Sequence, residues 1–454
     1  MDNHYHKVGV EGQLELFGRR RSEIPDAERL QTFQGQLYQK AKQEKKYKFY
    51  VLYDKMFVPY ILRESWKQVK RNAGSPGIDG MTIKDVEEYG VEKFLTELGE
   101  ELRCQSYRPK AVKRVMIPKA NGGERPLGIP TVKDRIAQTA CKMILEPIFE
   151  ADFEESSQGF RPNRSSKDAM TSIKAHLQEG RTEVLDADLS KYFDTIPHTK
   201  LMIALEERIS DPRILKLIKS WLKAPIFDDG QFKGGKKNNQ GTPQGGVISP
   251  LLANIYLHLL DRIVSHPRSL FYQYGVKMVR YADDFVLMGK SIPNEVMNQL
   301  TNLIDRMGLT LNEDKTRKVK ATETSFNFLG FTVRYSNSIY VTSDKFWAII
   351  PGKKSELKLR ENVRNYLDSH GHSSAQTIAD GLNSKIRGWL NYFSIEKVSY
   401  PYLSKRRLRF YLTTKLYRYF NRKSQRKCRL YRQKAFELLV NQYGLIDPTK
   451  YIVH

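Results

Sequence analysis

Two apolar segments of β character each carry aspartate where a strand usually carries Val or Ile, and this restricts the fold more than any other feature of the chain. RYADDFVLMG (280–289) sets Asp283 and Asp284 side by side amid Tyr281, Phe285, Val286, Leu287 and Met288. EVLDADLSKYFDTI (183–196) reads as a buried strand that carries Asp188 at its end and leads into a helix. Aromatic and β-branched residues suit a pleated, half-buried sheet and Asp does not. An unpaired buried carboxylate is costly. The two segments make sense together if a tight hairpin holds Asp283 and Asp284 at its tip, facing the strand that carries Asp188. Magnesium bridging these acids offsets their desolvation, because hard oxygen ligands suit it and its charge opposes theirs. Two such ions about 3.5–4 Å apart activate a 3′-hydroxyl, orient phosphate and stabilise leaving pyrophosphate. Tyr-x-Asp-Asp by itself arises in roughly one random chain of this length in twenty, so the tetrapeptide alone decides little.

The charge balance narrows the partner. Lys and Arg number 76 against 51 Asp and Glu, a formal net charge of +25. That excess points to a polyanion, nucleic acid before membrane, whereas a merely soluble surface carries less charge and mixes the signs. Three cysteines (Cys104, Cys141 and Cys428) are too few and scattered for a disulfide framework or zinc knuckle. The expectation is a reduced, cytosolic chain. MDNHYHKVGVEGQ, at the N-terminus, shows no signal-peptide core. LLANIYLHLL (251–260) has the length of a core helix, too short for a membrane span.

Along the chain, residues 1–25 read as a mobile tail, and apolar residues recurring at three- and four-residue steps predict helix over 28–72. NAGSPGIDG (72–80) ends that segment as a turn cluster. Further helices are expected near 84–104, 133–150, 165–179 and 199–223. AVKRVMIPKANGGERPLGIP (111–130) carries a hairpin signal, Asn-Gly-Gly between two runs rich in Val, Ile and Leu. From about 345 onward the pattern reads as almost wholly helical and strongly basic.

The ordered series IPKANGGERPLGIP, QGFRPNRS, DADLSKYFDTI, GTPQGGVISPLLANIYL, RYADDFVL, LNEDKT and FLGF resembles the reverse transcriptases encoded by bacterial group II introns. The resemblance covers about residues 55–445. It implies an α+β right-hand polymerase: an N-terminal tail and helical extension over 1–54, then fingers and palm with an antiparallel palm sheet over 55–344. An α-helical thumb of maturase type follows over 345–404, and a basic extension, at most a stub of a DNA-binding region, over 405–454. The implied activity is RNA-directed DNA polymerisation with two Mg²⁺ (Mn²⁺ able to substitute), an RNA template, a DNA primer and dNTPs. Binding of group II intron RNA, splicing assistance and retrohoming are implied with it.

By the same resemblance Asp188, Asp283 and Asp284 are the catalytic metal ligands, and the Leu189 carbonyl is a further ligand. Lys119 and Arg125 match the pair that grips the incoming nucleotide; a lysine point charge suits triphosphate, and a planar guanidinium can stack on a base. Phe193 matches the aromatic beneath the sugar that excludes a 2′-hydroxyl, a role compatible with ordinary core packing. Gln244 matches the glutamine at the nucleotide sugar and base. Lys315 and Gly330 match positions behind the palm and at the primer grip. Arg161 either touches template or braces the palm through a salt bridge.

IRGWLNYF (386–393) resembles the family's thumb signature, with Trp389, Tyr392 and Phe393 spaced more as core than as a stacking platform. Residues 405–434 hold thirteen Lys/Arg and no Asp or Glu, with an apolar seam through Leu408, Leu412 and Leu416. Lys405, Arg406, Arg407, Arg409, Lys415, Arg418, Arg422 and Lys423 are the expected RNA contacts, interleaved with Tyr and Phe as structured RNA requires. The chain departs from the larger members of the family in stopping at His454 with Cys428 alone in that region, so no endonuclease is expected. Two other readings share these motifs: a splicing factor with an idle palm, and a stand-alone reverse transcriptase serving phage defence or DNA repair. Neither the role of the N-terminal helix nor the oligomeric state is legible in the sequence.

Overall fold

The computed structural model describes residues 24–118, 123–235, 238–337, 345–422 and 430–453. The strands, in chain order, are β1 (Val112–Pro118), β2 (Glu124–Ile129), β3 (Glu183–Ala187), β4 (Pro225–Asp228), β5 (Gln231–Gly234) and β6 (Lys277–Tyr281). They continue with β7 (Asp284–Gly289), β8 (Arg317–Lys320), β9 (Phe326–Phe328), β10 (Phe331–Asn337) and β11 (Lys345–Pro351). Among the described residues these form three sheets, of order β2-β1-β4-β5, β6-β7-β3-β8 and β11-β10-β9. The chain forms two compact units, one from the described parts of 1–165, 187–286 and 293–316, the other from 166–186, 287–292 and 317–454.

In the first unit, β1 and β2 form the expected hairpin, with Val115 opposite Leu127 and Ile117 opposite Arg125. Parallel pairing of β1 with β4, Val112 against Ile226, extends that sheet. Helix Ser249–Ser265 is apolar nearly all round and correspondingly buried, from Leu251 to Val264. The helical expectations hold with breaks that sequence periodicity alone did not show. Residues 28–72 form two helices, Asp26–Gln43 and Pro59–Asn72, and 84–104 splits at Gly90 into Ile83–Tyr89 and Val91–Arg103. The stretch 199–223 splits into His198–Glu206 and Pro212–Leu222, because Asp211 caps the second helix through the amides of Arg213 and Ile214. Asp211 is fully buried and also accepts from Leu52 N and Tyr53 N at 2.9 and 2.8 Å, fixing the segment between the first two helices.

In the second unit, one seam of core joins Leu359, Val363, Leu382, Ile386, Leu412 and Leu416 across helices Lys353–Ser369, Ala375–Phe393 and Tyr402–Arg422. The expectation of helix from 345 is corrected at its start. Residues 345–351 are β11, paired antiparallel with β10 along its whole length, Val333 opposite Ile349. Phe346, Trp347, Ile349 and Ile350 supply the β-type content that decides it, and helix begins at Lys353. Among the described residues no helix is long and apolar enough to cross a membrane.

Candidate active site

The opening puzzle of two acids in an apolar run resolves at a turn. Strand β6 ends at Tyr281 and β7 begins at Asp284, so Ala282 and Asp283 are the turn itself, Ala282 with a left-handed φ of 59°. Apolar residues on either side, Val279, Phe285 and Val286, are buried, whereas Asp284 is exposed and Asp283 half-buried. Asp188 follows β3 by one residue, and β3 lies beside β7 in the sheet. Burial pushes the Asp283 carboxyl up, and the charge of Asp188 adds to that shift against the opposing pull of Arg280 and Lys315.

A cation already answers these acids. Lys315 Nζ donates to Asp188 Oδ2 at 2.8 Å, and that bond, with the charges of Asp188, Asp284 and Asp283, raises the lysine pKa. Asn312 Nδ2 donates to the same Asp188 oxygen at 3.1 Å. Asn312 N also donates to Asp188 O and Ser190 N to Thr310 O, which brackets the Leu189–Leu311 bridge. In such an antiparallel pair the bracketed residue's own peptide groups point away from the partner strand. The Leu189 carbonyl is therefore turned off the ladder.

Among the described residues no three His, Cys, Asp or Glu side chains approach closely enough to cage a metal unaided. Magnesium does not need such a cage. It keeps several waters and is held by one or two carboxylates together with substrate phosphates. Asp188, bonded to the Lys315 ammonium, and the adjoining turn acids Asp283 and Asp284 are hard oxygen donors of the kind that ion takes.

Phe193 lies in the short helix Tyr192–Thr195, five residues after Asp188, half-buried and in edge contact with Phe160 and Tyr192 at 6.4 and 5.5 Å. Its carbonyl accepts from Thr242 N, and Gln244 Nε2 reaches Asp194 Oδ2 at 3.4 Å, so this helix and the GTPQGG loop are joined. Gly245 has φ 109°, and a Cβ there would lie 2.3 Å from Gly128 O, so only glycine lets this loop lie against β2. Asp194, Gln244, Gly128 and Arg114 line a cavity of ≈ 270 Å³. Arg125 is exposed on β2. Among the described residues no hydrogen bond or ion pair joins it to the acids. Lys119 lies outside the described residues.

Arg161 takes the salt-bridge alternative of its two expected roles, and Lys315 stands elsewhere than expected. The Arg161 side chain is 2% exposed, as is its partner Glu150, and it also donates to Glu154 O and Ser157 O. Enclosed this way it braces the fold. Arg161→Ala should leave the Glu150 charge buried without a partner and cost about 3–5 kcal/mol, measured as a lower urea midpoint at unchanged m-value. Lys315, expected behind the palm, stands on Asp188. Sequence reasoning passed over Arg280, Asn254 and Asp261, which support the hairpin from beneath. The signal available was a charged residue inside an otherwise apolar strand, the same anomaly that drew attention to Asp283.

The remaining residues belong to the second unit. Gly330, φ 79°, completes a β9–β10 turn with Leu329, φ 49°. The turn is held by Tyr392, whose hydroxyl donates to Leu329 O, and Phe331 packs against Phe393 at 4.8 Å. Phe393 is buried and Tyr392 38% exposed, consistent with a mainly structural role for the IRGWLNYF segment. On helix Tyr402–Arg422, Arg406, Arg418 and Arg422 are exposed and Lys415 is partly so. Three others are tied within the unit: Lys405 to Tyr451 O at 3.3 Å, Arg407 to Glu356 at 3.6 Å and Arg409 to Asp447 at 3.3 Å. Lys423 lies outside the described residues.

Residues 117–333 match the family model "Reverse transcriptase (RNA-dependent DNA polymerase)", and 357–435 match "Group II intron, maturase-specific domain". Protein YkfC of Escherichia coli is 37% identical over 60% of this chain and 78% of its own length. The group II intron-encoded protein LtrA of Lactococcus lactis is 28% identical over 76% of this chain and 70% of its own. The chain belongs to the group II intron reverse transcriptase family. An uncharacterised 91 kDa protein in the cob intron of Schizosaccharomyces pombe is 28% identical over 70% of this chain, which spans 46% of that relative. The reverse transcriptase is thus an RNA-directed DNA polymerase of mixed α+β fold with a helical, maturase-type C-terminal region.

Proposed function

We propose that this reverse transcriptase extends the 3′ end of a DNA primer on an RNA template by in-line attack on a dNTP, with Mg²⁺ held by Asp188, Asp283, Asp284 and the Leu189 carbonyl. The observation that carries this reading is the Asp283–Asp284 turn at the start of β7, beside the strand that leads into Asp188, whose carboxylate already binds the Lys315 ammonium at 2.8 Å. Two Mg²⁺ there would supply Lewis-acid activation of the primer hydroxyl and charge neutralisation at the leaving pyrophosphate. The chain's own residues do the rest. Asp188, fixed by Asn312, and Asp283, fixed by the turn, hold a strongly negative site at the palm. Lys315 offsets part of that charge and orders Asp188 before substrate arrives. Gln244 and Phe193 border the nucleotide's sugar, and Arg125 with Lys119 grips base and triphosphate from the fingers hairpin. The division into fingers and palm to 344, thumb to 404 and basic extension beyond belongs to the same proposal, as does binding of group II intron RNA by the basic helix to assist splicing.

Oligo(dT) annealed to poly(rA) tests the polymerase reading. Incorporation of dTTP that requires Mg²⁺ and stops with EDTA is the expected outcome, and no incorporation by a chain that binds the duplex refutes it. Sugar selection has its own check. Phe193→Val should open space beneath the ribose and raise the kcat/KM ratio for UTP over dTTP, on the order of tenfold or more. If Phe193 only packs, the variant loses stability while the ratio stays put.

A further inference from the structure

The turn that carries Asp283 rests on a fully buried ion pair. Arg280 and Asp261 are each 0% exposed, and the guanidinium donates to both Asp261 oxygens from Nε and Nη2. Nη1 is directed elsewhere, to Asn254 Oδ1 at 3.0 Å and to the carbonyl of Ala282 at 2.8 Å. Ala282 is the left-handed residue of the turn, next to Asp283. The Arg280 backbone is pinned too, its N–H donating to Ser156 O and its carbonyl accepting from Gln158 N, both at 2.8 Å. Asn254 Nδ2 donates to Gly159 O at 2.7 Å, and a Cβ on Gly159 would fall 2.3 Å from Ala282 N, so the turn is closed from its other side.

Helix Ser249–Ser265 supplies both Asn254 and Asp261. The same helix accepts a hydrogen bond at Ala253 O from the Tyr192 hydroxyl, four residues beyond Asp188, at 2.7 Å. It begins immediately after the loop that carries Gln244. One rigid element therefore holds the Asp283 turn, the Asp188–Phe193 segment and the nucleotide loop at fixed separation.

A buried ion pair is a poor device for stability alone, since well-packed apolar residues of the same volume serve as well or better. What an apolar pair cannot do is direct a donor at one carbonyl while held bidentately by a carboxylate, a task that suits the rigid fork of Arg. We propose that Arg280 is a positioning residue for the polymerase reaction, fixing the Ala282 carbonyl and hence the placement of Asp283 relative to Asp188. The claim rests on the role given to Asp283 above, and the unmodified chain in the same assay tests that role separately.

The experiment is a pre-steady-state burst of dTTP incorporation on oligo(dT)·poly(rA), run beside Mn²⁺ binding followed by electron paramagnetic resonance on the chain with the same duplex. Arg280→Met combined with Asp261→Leu removes both buried charges. In the folded double variant the burst rate should fall on the order of 10²-fold, the scale of an ångström-sized misplacement. Mn²⁺ affinity should weaken with it, while burst amplitude and KM for dTTP stay near the parental values. A merely structural role predicts the reverse, a smaller amplitude at an unchanged rate with Mn²⁺ affinity intact, and that result overturns the proposal. If the double variant does not fold, Arg280→Lys decides: it retains the charge beside Asp261 and gives up the fork. A slower burst at full amplitude supports the positioning role; a parental burst rate overturns it.

Discussion

Asp283→Asn should abolish primer extension, with a loss on the order of 10⁴-fold, the scale seen when one member of an interdependent catalytic set is removed. Asn keeps the shape of the turn but cannot supply the anionic oxygen that magnesium requires. Duplex and RNA binding should change little, because the exposed cations of helix Tyr402–Arg422 are untouched. The same variant carries a second, opposite signature. Burial, with Asp188 adding, raises the Asp283 pKa in the folded chain, so the folded state holds this proton more tightly than the unfolded one. Stability then falls as pH rises from the unfolded value, near 4, through the raised folded value, and the ionised carboxylate burdens the fold above both. In the absence of divalent metal, Asn should therefore raise the melting temperature at neutral pH, by about 1–3 °C. That gain should vanish below roughly pH 4, where Asp283 is protonated in both states. A variant that extends primers at near-parental rates contradicts the role given to Asp283; a metal-free melting temperature that drops contradicts the electrostatic account of the turn.

The second large effect concerns the basic helix. Arg406, Arg407, Arg409, Arg418 and Arg422 are exposed. Arg407 and Arg409, like the half-buried Lys405, also have partners within the unit, which leaves the other three arginines as the ones to change. Changing Arg406, Arg418 and Arg422 to Gln should lower the slope of log Kd against log salt for a long structured RNA by up to about 2–3 units, since each phosphate left without its cation removes about 0.7–0.9. Gln is a good helix former, and the seam of Leu408, Leu412, Leu416 and Phe420 faces the core, so the helix should persist. Extension of a short primer–template at low salt should survive, because the acids sit in the other unit. The matching changes at Arg407 and Arg409 are less informative, since they also break the ion pairs to Glu356 and Asp447. An unchanged slope in the folded triple variant would mean that this face only solvates the helix, and the intron-RNA half of the proposal would lose its physical basis.

Much of this arrangement can be read from residue pattern. The Asp283 turn was legible because two acids in a run of Tyr, Phe, Val and Leu have few alternatives to a hairpin tip. The Leu408–Leu416 seam was legible because four-residue spacing survives a dense field of Arg and Lys. Tertiary pairing hid the rest. Arg161 stood open between template contact and brace because nothing in GFRPNRS announces that Glu150, eleven residues earlier on another element, encloses it. Lys315 looked remote from the acids because its bond to Asp188 spans 127 residues of chain. Strand β11 was missed because the basic, helical character of residues 353 onward masks seven residues of β-type content just before them. Arg280 was overlooked for the same reason: its partners Asp261 and Asn254 come from a helix whose pattern is apolar, where polar residues read as interruptions.

The most direct test of the account is the number of Mn²⁺ ions bound per chain, counted by electron paramagnetic resonance with primer–template and a non-hydrolysable dTTP analogue present. The metal-ligand roles proposed for Asp188, Asp283 and Asp284 predict two coupled ions in the unmodified chain, and loss of that coupling in both Asp188→Asn and Asp283→Asn. An ion count and coupling that both substitutions leave unchanged would show that the metals of this polymerase bind somewhere else.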